Sequence, residues 1–488
     1  MNKIKLILIG CGPHAKRIYL PAVEKLRERM DIELLLVVDL YAMQDSVAKA
    51  INQTTFKPQM WFIEPFTSEL PARLEECLSL FIKENNINGV IIATEPLVHK
   101  AYADWALRNK LNILIDKPIT ARVDSTSKLS SADGILEDYI SLLELYKNIQ
   151  QTQETVFVIN SQRRFHAGFC FVEKLLKEIG DKTNCPVTFI QSYHSDGQWR
   201  FPSEIVTQDY HPYCSGYGKA SHSGYHFFDM LYRLYIASGV KTKFADSMEI
   251  VSSFVQPNGF IRQLSETDYH SLFNDRYNSV KKWSDRQLQE TYKYYGEIDL
   301  SAIVTLKKDE DIIANLSVNL IHNGFARRTW LEPGEDLYKG NGRVKHEHHN
   351  IQQGPFQNIQ IHSYQSKDKH GLMDNYEDDL GGNNHFDIYV FRNPLVTDSD
   401  DSLKVYKFSE ILSEMEKPAQ TRLLMESAKY QVVEEFLEYI SGYRKKSELS
   451  SLIEDHIVPV QIMRGIYRSH IQRNNKLDCV VRSSFGFS

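Results

Sequence analysis

The sequence predicts an α/β protein, with a doubly wound parallel sheet in its first third and a second domain rich in long strands. Three observations carry this. A continuous apolar run, KIKLILI (3–9), leads straight into a glycine turn and an amphipathic segment. Short apolar runs and helical periodicities then alternate to residue 120. Beyond residue 185 the strand-like runs lengthen.

KIKLILI has the pattern of a strand buried on both faces of a parallel sheet. It runs into GCGPHA, in which Gly10, Gly12 and Ala15 are spaced G-x-G-x-x-A with Pro13 and His14 between them. A helix, AKRIYLPAVEKLRERM, is expected next, interrupted by Pro21, and then the strand IELLLVVD ending on Asp39. In this setting Gly10 permits the turn and Gly12 admits a pyrophosphate close to the backbone. Ala15 keeps the helix near the strand, and the helix N-terminus faces the phosphates. Asp39 is placed to accept hydrogen bonds from an adenosine ribose and to repel a 2′-phosphate, which favours NAD; NADP is left open by this residue alone. The helix PARLEECLSLFIKENN (71–86), the strand NGVIIATEP (88–96), the helix VHKAYADWALRNK (98–110) and the strand LNILIDKPIT (111–120) follow. Ligands of such folds bind at the carboxyl ends of the strands. Thr94, Glu95, Pro96, His99, Asp116 and Lys117 stand there as cofactor-site candidates.

A chain of 488 residues has room for two domains, expected at 1–163 and 164–488. The formal charge of −6 gives no reason to expect nucleic acid or an acidic membrane as partner. No apolar run approaches a bilayer-spanning length. Six scattered cysteines without a C-x-x-C pair fit reduced thiols in a cytoplasmic protein.

In the second half, VTFIQSYH (187–194), DSMEIVSSFV (246–255), EIDLSAIVTLK (297–307), IIANLSVNLI (312–321) and NIQIHSY (358–364) read as strands. KASHSGYHFFDMLYRL (219–234) places His222, His226 and Asp229 at i, i+4 and i+7, one face of a helix. That face would serve proton transfer, bind a metal or pack into a core. H-x-x-x-H with a carboxylate is an acceptable zinc ligand set, though it lacks the glutamate of H-E-x-x-H. RVKHEHHN (343–350) would put His346 and His348 on one strand face and Glu347 and His349 on the other, as a metal cluster or a solvated sheet surface.

IGCGPHA, IIATEPLVH and ILIDKPIT together resemble the Gfo/Idh/MocA oxidoreductases, with Asp116-Lys117-Pro118 where the family carries Glu-Lys-Pro. VINSQRRF (158–165) resembles the last nucleotide-domain strand and the arginine-bearing link after it. GYGKASHSGYHFFDMLYRL resembles the family segment G-G-x-x-x-D-x-G-x-H-x-x-D, and residues 430–470 its closing helices. The resemblance implies a C-terminal α+β domain with a large, mostly antiparallel sheet, and a homodimer or homotetramer. It also implies a metal-free mechanism on a secondary alcohol or ketone of a sugar, cyclitol or sugar-like metabolite. His226 falls on the catalytic histidine, Asp229 on the acid one turn later, and Lys117 on the lysine that polarises the reacting oxygen. His222 falls where many members have aspartate. Arg164, Trp199, Tyr213 and His222 become substrate-site candidates. For each of the first three a bland reading competes: a strand-end salt bridge, an aromatic cap on the core, an ordinary polar loop. A variant using tightly held NAD transiently, for sugar elimination or glycoside cleavage, and a non-catalytic NAD(P)-binding regulator or scaffold are the alternatives. Length beyond the usual member is expected in 121–139, 257–295 and 322–405.

Overall fold

The computed structural model describes residues 2–328, 330–332, 342–366, 378–398, 401–413 and 424–485, which group into two compact units. The first collects 1–121, 134–166 and 419–457; the second collects 122–133, 167–418 and 458–488.

The first unit is built on six parallel strands: β1 Ile4–Ile9, β2 Ile32–Leu40, β3 Gln59–Ile63, β4 Gly89–Ile92, β5 Asn112–Ile115 and β6 Phe157–Ile159. Their order is β3-β2-β1-β4-β5-β6, so the winding reverses between β1 and β4. β1, β4 and β5 are buried almost throughout because helices cover both faces, which is why they read as unbroken apolar runs. After the glycine turn the chain forms a π-helical turn, Ala15–Tyr19, and then the helix Leu20–Leu26. Helical backbone runs through both, and Pro21 directly follows the wide turn: a proline has no N–H and crowds the carbonyl one turn back, and the Leu20 N–H reaches the Ala15 carbonyl across the wider spacing. The helices Ala72–Asn85 and His99–Arg108 lie close to their expected bounds. The helix Gln44–Ile51 and the edge strand β3 were not anticipated; QMWFI is short and no residue of it is fully buried.

The helix Leu424–Ser441 belongs to the first unit, far along the chain from its strands. Val432, Val433, Phe436, Leu437 and Ile440 share one apolar core with Ile4, Leu6, Ile18, Val23 and Leu26. A helix so far along the chain is recruited because the face of β1 and its helix would otherwise meet water.

The second unit carries nine strands: β7 Phe189–Ser195, β8 Ser247–Val255, β9 Asp299–Lys308, β10 Asp311–Ile321, β11 Val344–Gln353, β12 Gln357–Ser366, β13 Asp387–Arg392, β14 Leu403–Tyr406 and β15 Val481–Ser484. Their order is β14-β13-β12-β11-β7-β10-β9-β8-β15, and every pair is antiparallel except β7 with β10. Burial alternates along β9 to β12, so one face is core and the other is open. Helices cover the core face. Phe169 of Ala167–Thr183 and Phe227 of Tyr225–Ile236 both lie against His349, and Gly465 of Ile457–Asn474 lies against Ile250. Much of the length expected as insertion at 322–405 is thus sheet. Within 257–295 the chain makes the short helices Pro257–Gln263, Glu266–Phe273 and Asp285–Thr291; the longer helix expected there reduces to the last of these. Part of the acidic turn segment, 374–377, lies outside the described residues.

RVKHEHHN falls on β11 with the expected alternation: His346 and His348 half-exposed, Glu347 and His349 buried. Glu347 and His349 pair at 3.0 Å and Ser192 bonds His349 at 2.8 Å, a satisfied core pair. Among the described residues no group of three or more His, Cys, Asp or Glu is arranged to hold a metal ion. All six cysteines are free thiols. Among the described residues no helix is long and apolar enough to cross a membrane.

Phe436 is fully buried in the shared core. Phe436→Ala is expected to destabilise the first unit by about 3–5 kcal/mol. In differential scanning calorimetry its transition should fall well below that of the native chain, and an unchanged transition would contradict the placement of this helix.

Candidate functional site

The glycine turn at the end of β1 fits a phosphate group for two measurable reasons. Gly10 has φ +84°, and a Cβ there would stand 2.6 Å from the Ala93 carbonyl oxygen, so only glycine fits. A Cβ on Gly12 would meet nothing within 4 Å, so open space lies in front of this backbone. Pro13 is exposed, and Ala15 is buried where the π-helical turn begins. The Asp39 carboxylate is fixed at the end of β2: the Cys11 N–H donates to Oδ2 at 2.7 Å and the Leu40 N–H to Oδ1 at 2.7 Å. Each carboxylate oxygen accepts more than one hydrogen bond, so capacity remains for a pair of ribose hydroxyls.

Around β4 and β5 the strand-end residues hold one another. Glu95 caps the turn Pro96–Val98 by accepting from the Leu97 N–H at 2.7 Å. The buried His99 ring stands 2.8 Å from the Pro118 carbonyl and 3.1 Å from that of Thr94. Burial pushes its pKa down. The neutral ring carries one N–H, so it donates to one of these carbonyls and lies against the other between the two turns. Thr94 takes part through its carbonyl. Lys117 is half-buried at the mouth of the same turn, and the Lys117–Pro118 peptide is cis.

Asp116 is the centre of a cluster that sequence reading missed. Tyr19 donates to Asp116 Oδ1, Asn160 Nδ2 donates to the same oxygen at 2.8 Å, and His14 Nε2 lies 3.7 Å away. Asn160 also donates to the Tyr19 hydroxyl at 2.6 Å. Burial alone would raise the Asp116 carboxyl; His14 and the bonds from Tyr19 and Asn160 outweigh it and hold it below its usual range. Burial pushes His14 down to about 4, with Asp116 opposing and Lys429, Arg17 and Lys117 adding, so His14 is neutral near pH 7. Nothing in the spacing of Tyr19 and Asn160 betrays them; only the sheet order brings the ends of β5 and β6 to the glycine turn.

Arg164 is accounted for elsewhere in this unit. Its buried guanidinium donates to the Ser450 carbonyl at 2.9 Å and to Asp455, clamping residues 450–455. These bonds are the strand-end contacts that the sequence offered as the alternative to a substrate role.

In the second unit His222 lies on a π-helical turn, Ala220–Gly224, while His226 and Asp229 lie on the helix Tyr225–Ile236. The wider turn moves His222 off the strict i, i+4 stripe that a single α-helix would give. All three are buried, Asp229 completely. The His222 ring stacks on His211 at 4.7 Å and meets Tyr213 and Tyr217, each at 5.4 Å. Tyr213 shares a 2.9 Å hydrogen bond with His322 Nδ1, and that nitrogen stands 3.6 Å from Asp196. Lys219 and Arg343 both pair with Asp196 and hold its carboxyl well below the usual range against the effect of burial. Burial lowers Lys219 and takes His322 down to about 4. Trp199 behaves as the bland reading has it: its indole N–H donates to Tyr269 at 3.3 Å and its ring packs on Phe201, Tyr269 and Phe273.

Glu297 was also missed. It is fully buried, accepts from the Ala220 N–H at 2.6 Å and from the Tyr467 hydroxyl at 3.2 Å, and so anchors the start of the His222 turn. Ser221 bonds the same Tyr467 at 2.8 Å. Burial pushes the Glu297 carboxyl up to about 7. Asp196, Lys219 and His322 left a trace in the sequence only as charged residues flanking strand ends and the histidine segment.

Residues 4–132 match the family model Gfo/Idh/MocA, described as an oxidoreductase family with an NAD-binding Rossmann fold. The matched domain is that of a Gfo/Idh/MocA oxidoreductase, and the class it defines is the NAD(P)-dependent oxidoreductases. No curated protein matches the chain in sequence. Among solved structures, a levoglucosan dehydrogenase in complex with NADH and levoglucosan aligns over 100% of both chains at 12% identity and TM-score 0.58. An aldose-aldose oxidoreductase from Caulobacter crescentus aligns over 99% of this chain and 100% of its own, at 12% identity and TM-score 0.57. An oxidoreductase from Agrobacterium radiobacter, in complex with NAD+, L-tartaric acid and magnesium, aligns over 99% and 98%, at 12% and 0.56. Likeness at this identity shows the fold.

The native state keeps a proton on Glu297 that the unfolded chain releases near 4.5, so stability from this group is lost as pH rises through about 7. Glu297→Gln removes that loss. Relative to the native chain, the variant should gain on the order of 2–3 kcal/mol between pH 4 and pH 8. Urea unfolding at the two pH values checks this; a constant difference would contradict it.

Proposed function

We propose that the chain is an NAD-dependent enzyme that transfers hydride between a nicotinamide and a secondary alcohol or ketone of a sugar, cyclitol or sugar-like metabolite. The observation that carries the cofactor half is Asp39: a carboxylate fixed at the end of β2 by the Cys11 N–H, beside a glycine turn with open space at Gly12. A carboxylate there accepts from both hydroxyls of an unmodified ribose and repels a 2′-phosphate. The substrate class is supported by the levoglucosan dehydrogenase and the aldose-aldose oxidoreductase that share the fold.

When bound, the nicotinamide supplies the carbon that gives or takes hydride. The chain's residues supply the rest. The carbinol oxygen must lose a proton as hydride leaves, and the His226 imidazole is the group we assign to take it. The Lys117 ammonium stabilises negative charge developing on that oxygen. His222, packed among His211, Tyr213 and Tyr217, contacts the substrate where relatives use aspartate, and Tyr213 lies with it. Asp229, one turn from His226, orients the imidazole. The open sheet face, with Phe189, Ile303 and Phe391 exposed, supports the homodimer or homotetramer, and six free thiols support a cytoplasmic setting.

Calorimetric titration with NADH and NADPH tests the cofactor half. NADH should bind about tenfold tighter or better; equal affinity, or binding of neither, would sink it. With a substrate from a sugar and cyclitol panel, Lys117→Ala and His226→Ala should each lose roughly 100-fold or more in turnover while still binding NADH. Native turnover in either variant would remove its assigned role.

A further inference from the structure

Asn160 ends β6, its N–H donating to the Ile115 carbonyl of β5 at 2.8 Å. It stands at the carboxyl end of β4-β5-β6, the second mononucleotide half of the sheet. Its side chain is buried, with 3% of the residue exposed. The orientation of its amide is fixed by chemistry: the Asp116 carboxylate only accepts, so the atom 2.8 Å from it is Nδ2. The other Nδ2 proton goes to the Tyr19 hydroxyl at 2.6 Å, with His14 Nε2 at 3.4 Å on the same side. Among the described residues Asn160 Oδ1 has no hydrogen-bond partner. A buried carbonyl without a donor is unfavourable, so a position that keeps one points to a donor brought by a ligand.

We propose that Asn160 is a cofactor-binding residue whose Oδ1 accepts a hydrogen bond from the carboxamide NH2 of the nicotinamide. The inference rests on the NAD reading above and extends it to a residue that no spacing in the sequence marks. Around Asn160 the chain offers two acceptor-directed donors and one free acceptor. A carboxamide brings two N–H donors, whereas a phosphate or a carboxylate brings none. Asp116, Tyr19 and His14 hold the amide in that orientation from β5, the π-helical turn and the glycine turn.

The test deletes the partner from both sides. Calorimetry compares NAD with 3-acetylpyridine adenine dinucleotide, in which a methyl group replaces the carboxamide NH2, and with ADP-ribose, which lacks the ring altogether. The native chain should bind NAD about tenfold tighter than the acetylpyridine analogue. Asn160→Ala should bind the two equally and keep its affinity for ADP-ribose. Tyr19→Phe retains Oδ1 and should retain the discrimination. Equal binding of the two dinucleotides by the native chain would overturn the proposal, and this reading needs no variant to fold. Undiminished discrimination in Asn160→Ala, its loss in Tyr19→Phe, or a parallel loss of ADP-ribose affinity in Asn160→Ala would also overturn it. Failure of the native chain to bind even ADP-ribose would instead overturn the NAD reading itself, and this proposal with it.

Discussion

A carboxylate placed at the end of a parallel strand, away from bulk water, must be surrounded by donors or surrender its charge, and Asp116 is so placed. Tyr19 and Asn160 meet that demand, and with His14 beside them they bring the glycine turn, the π-helical turn, β5 and β6 together at one corner. Lys117 follows directly in the chain, so its backbone is positioned by this corner. The substitution of aspartate for the family's glutamate shortens the side chain, and the donors come to it from elements that sequence distance keeps far apart.

The second unit builds a similar cluster around a carboxylate, with cationic partners. Lys219, Arg343 and His322 converge on one carboxylate, Asp196, and Tyr213 connects that group to the ring of His222. The histidine at position 222 is thus surrounded by the rings of His211, Tyr213 and Tyr217. Glu297 anchors the turn from beneath with a carboxyl whose burial leaves it half-protonated near neutrality.

The first sheet was legible because its strands are buried on both faces and therefore read as apolar runs, and because a glycine turn, a helix start and a terminal acid each have a fixed mechanical place. Lys117, Asp39 and the histidine segment were singled out by that logic and by family resemblance. The rest escaped for identifiable reasons. β3 is an edge strand without a buried residue, so it has no pattern to read. The bracing role of His99, the clamp made by Arg164 and the cap made by Trp199 depend on partners 19, 286 and 70 residues away, and local periodicity carries no record of them. Tyr19, Asn160, Asp196, His322 and Glu297 are ordinary polar residues until the sheet order sets them together.

The helix Leu424–Ser441 completes the core of the first unit from more than 250 residues beyond β6. On a ribosome, the six parallel strands emerge long before the helix that must cover them. Until residue 441 has left the exit tunnel, Ile4, Leu6, Ile18 and Val23 lack part of their apolar cover, and the nascent chain carries an open hydrophobic face through the synthesis of nine-tenths of its length. The order of translation is therefore not the order of folding: the unit that is begun first is closed late, and chaperones that shield exposed apolar surface have their natural substrate in that interval.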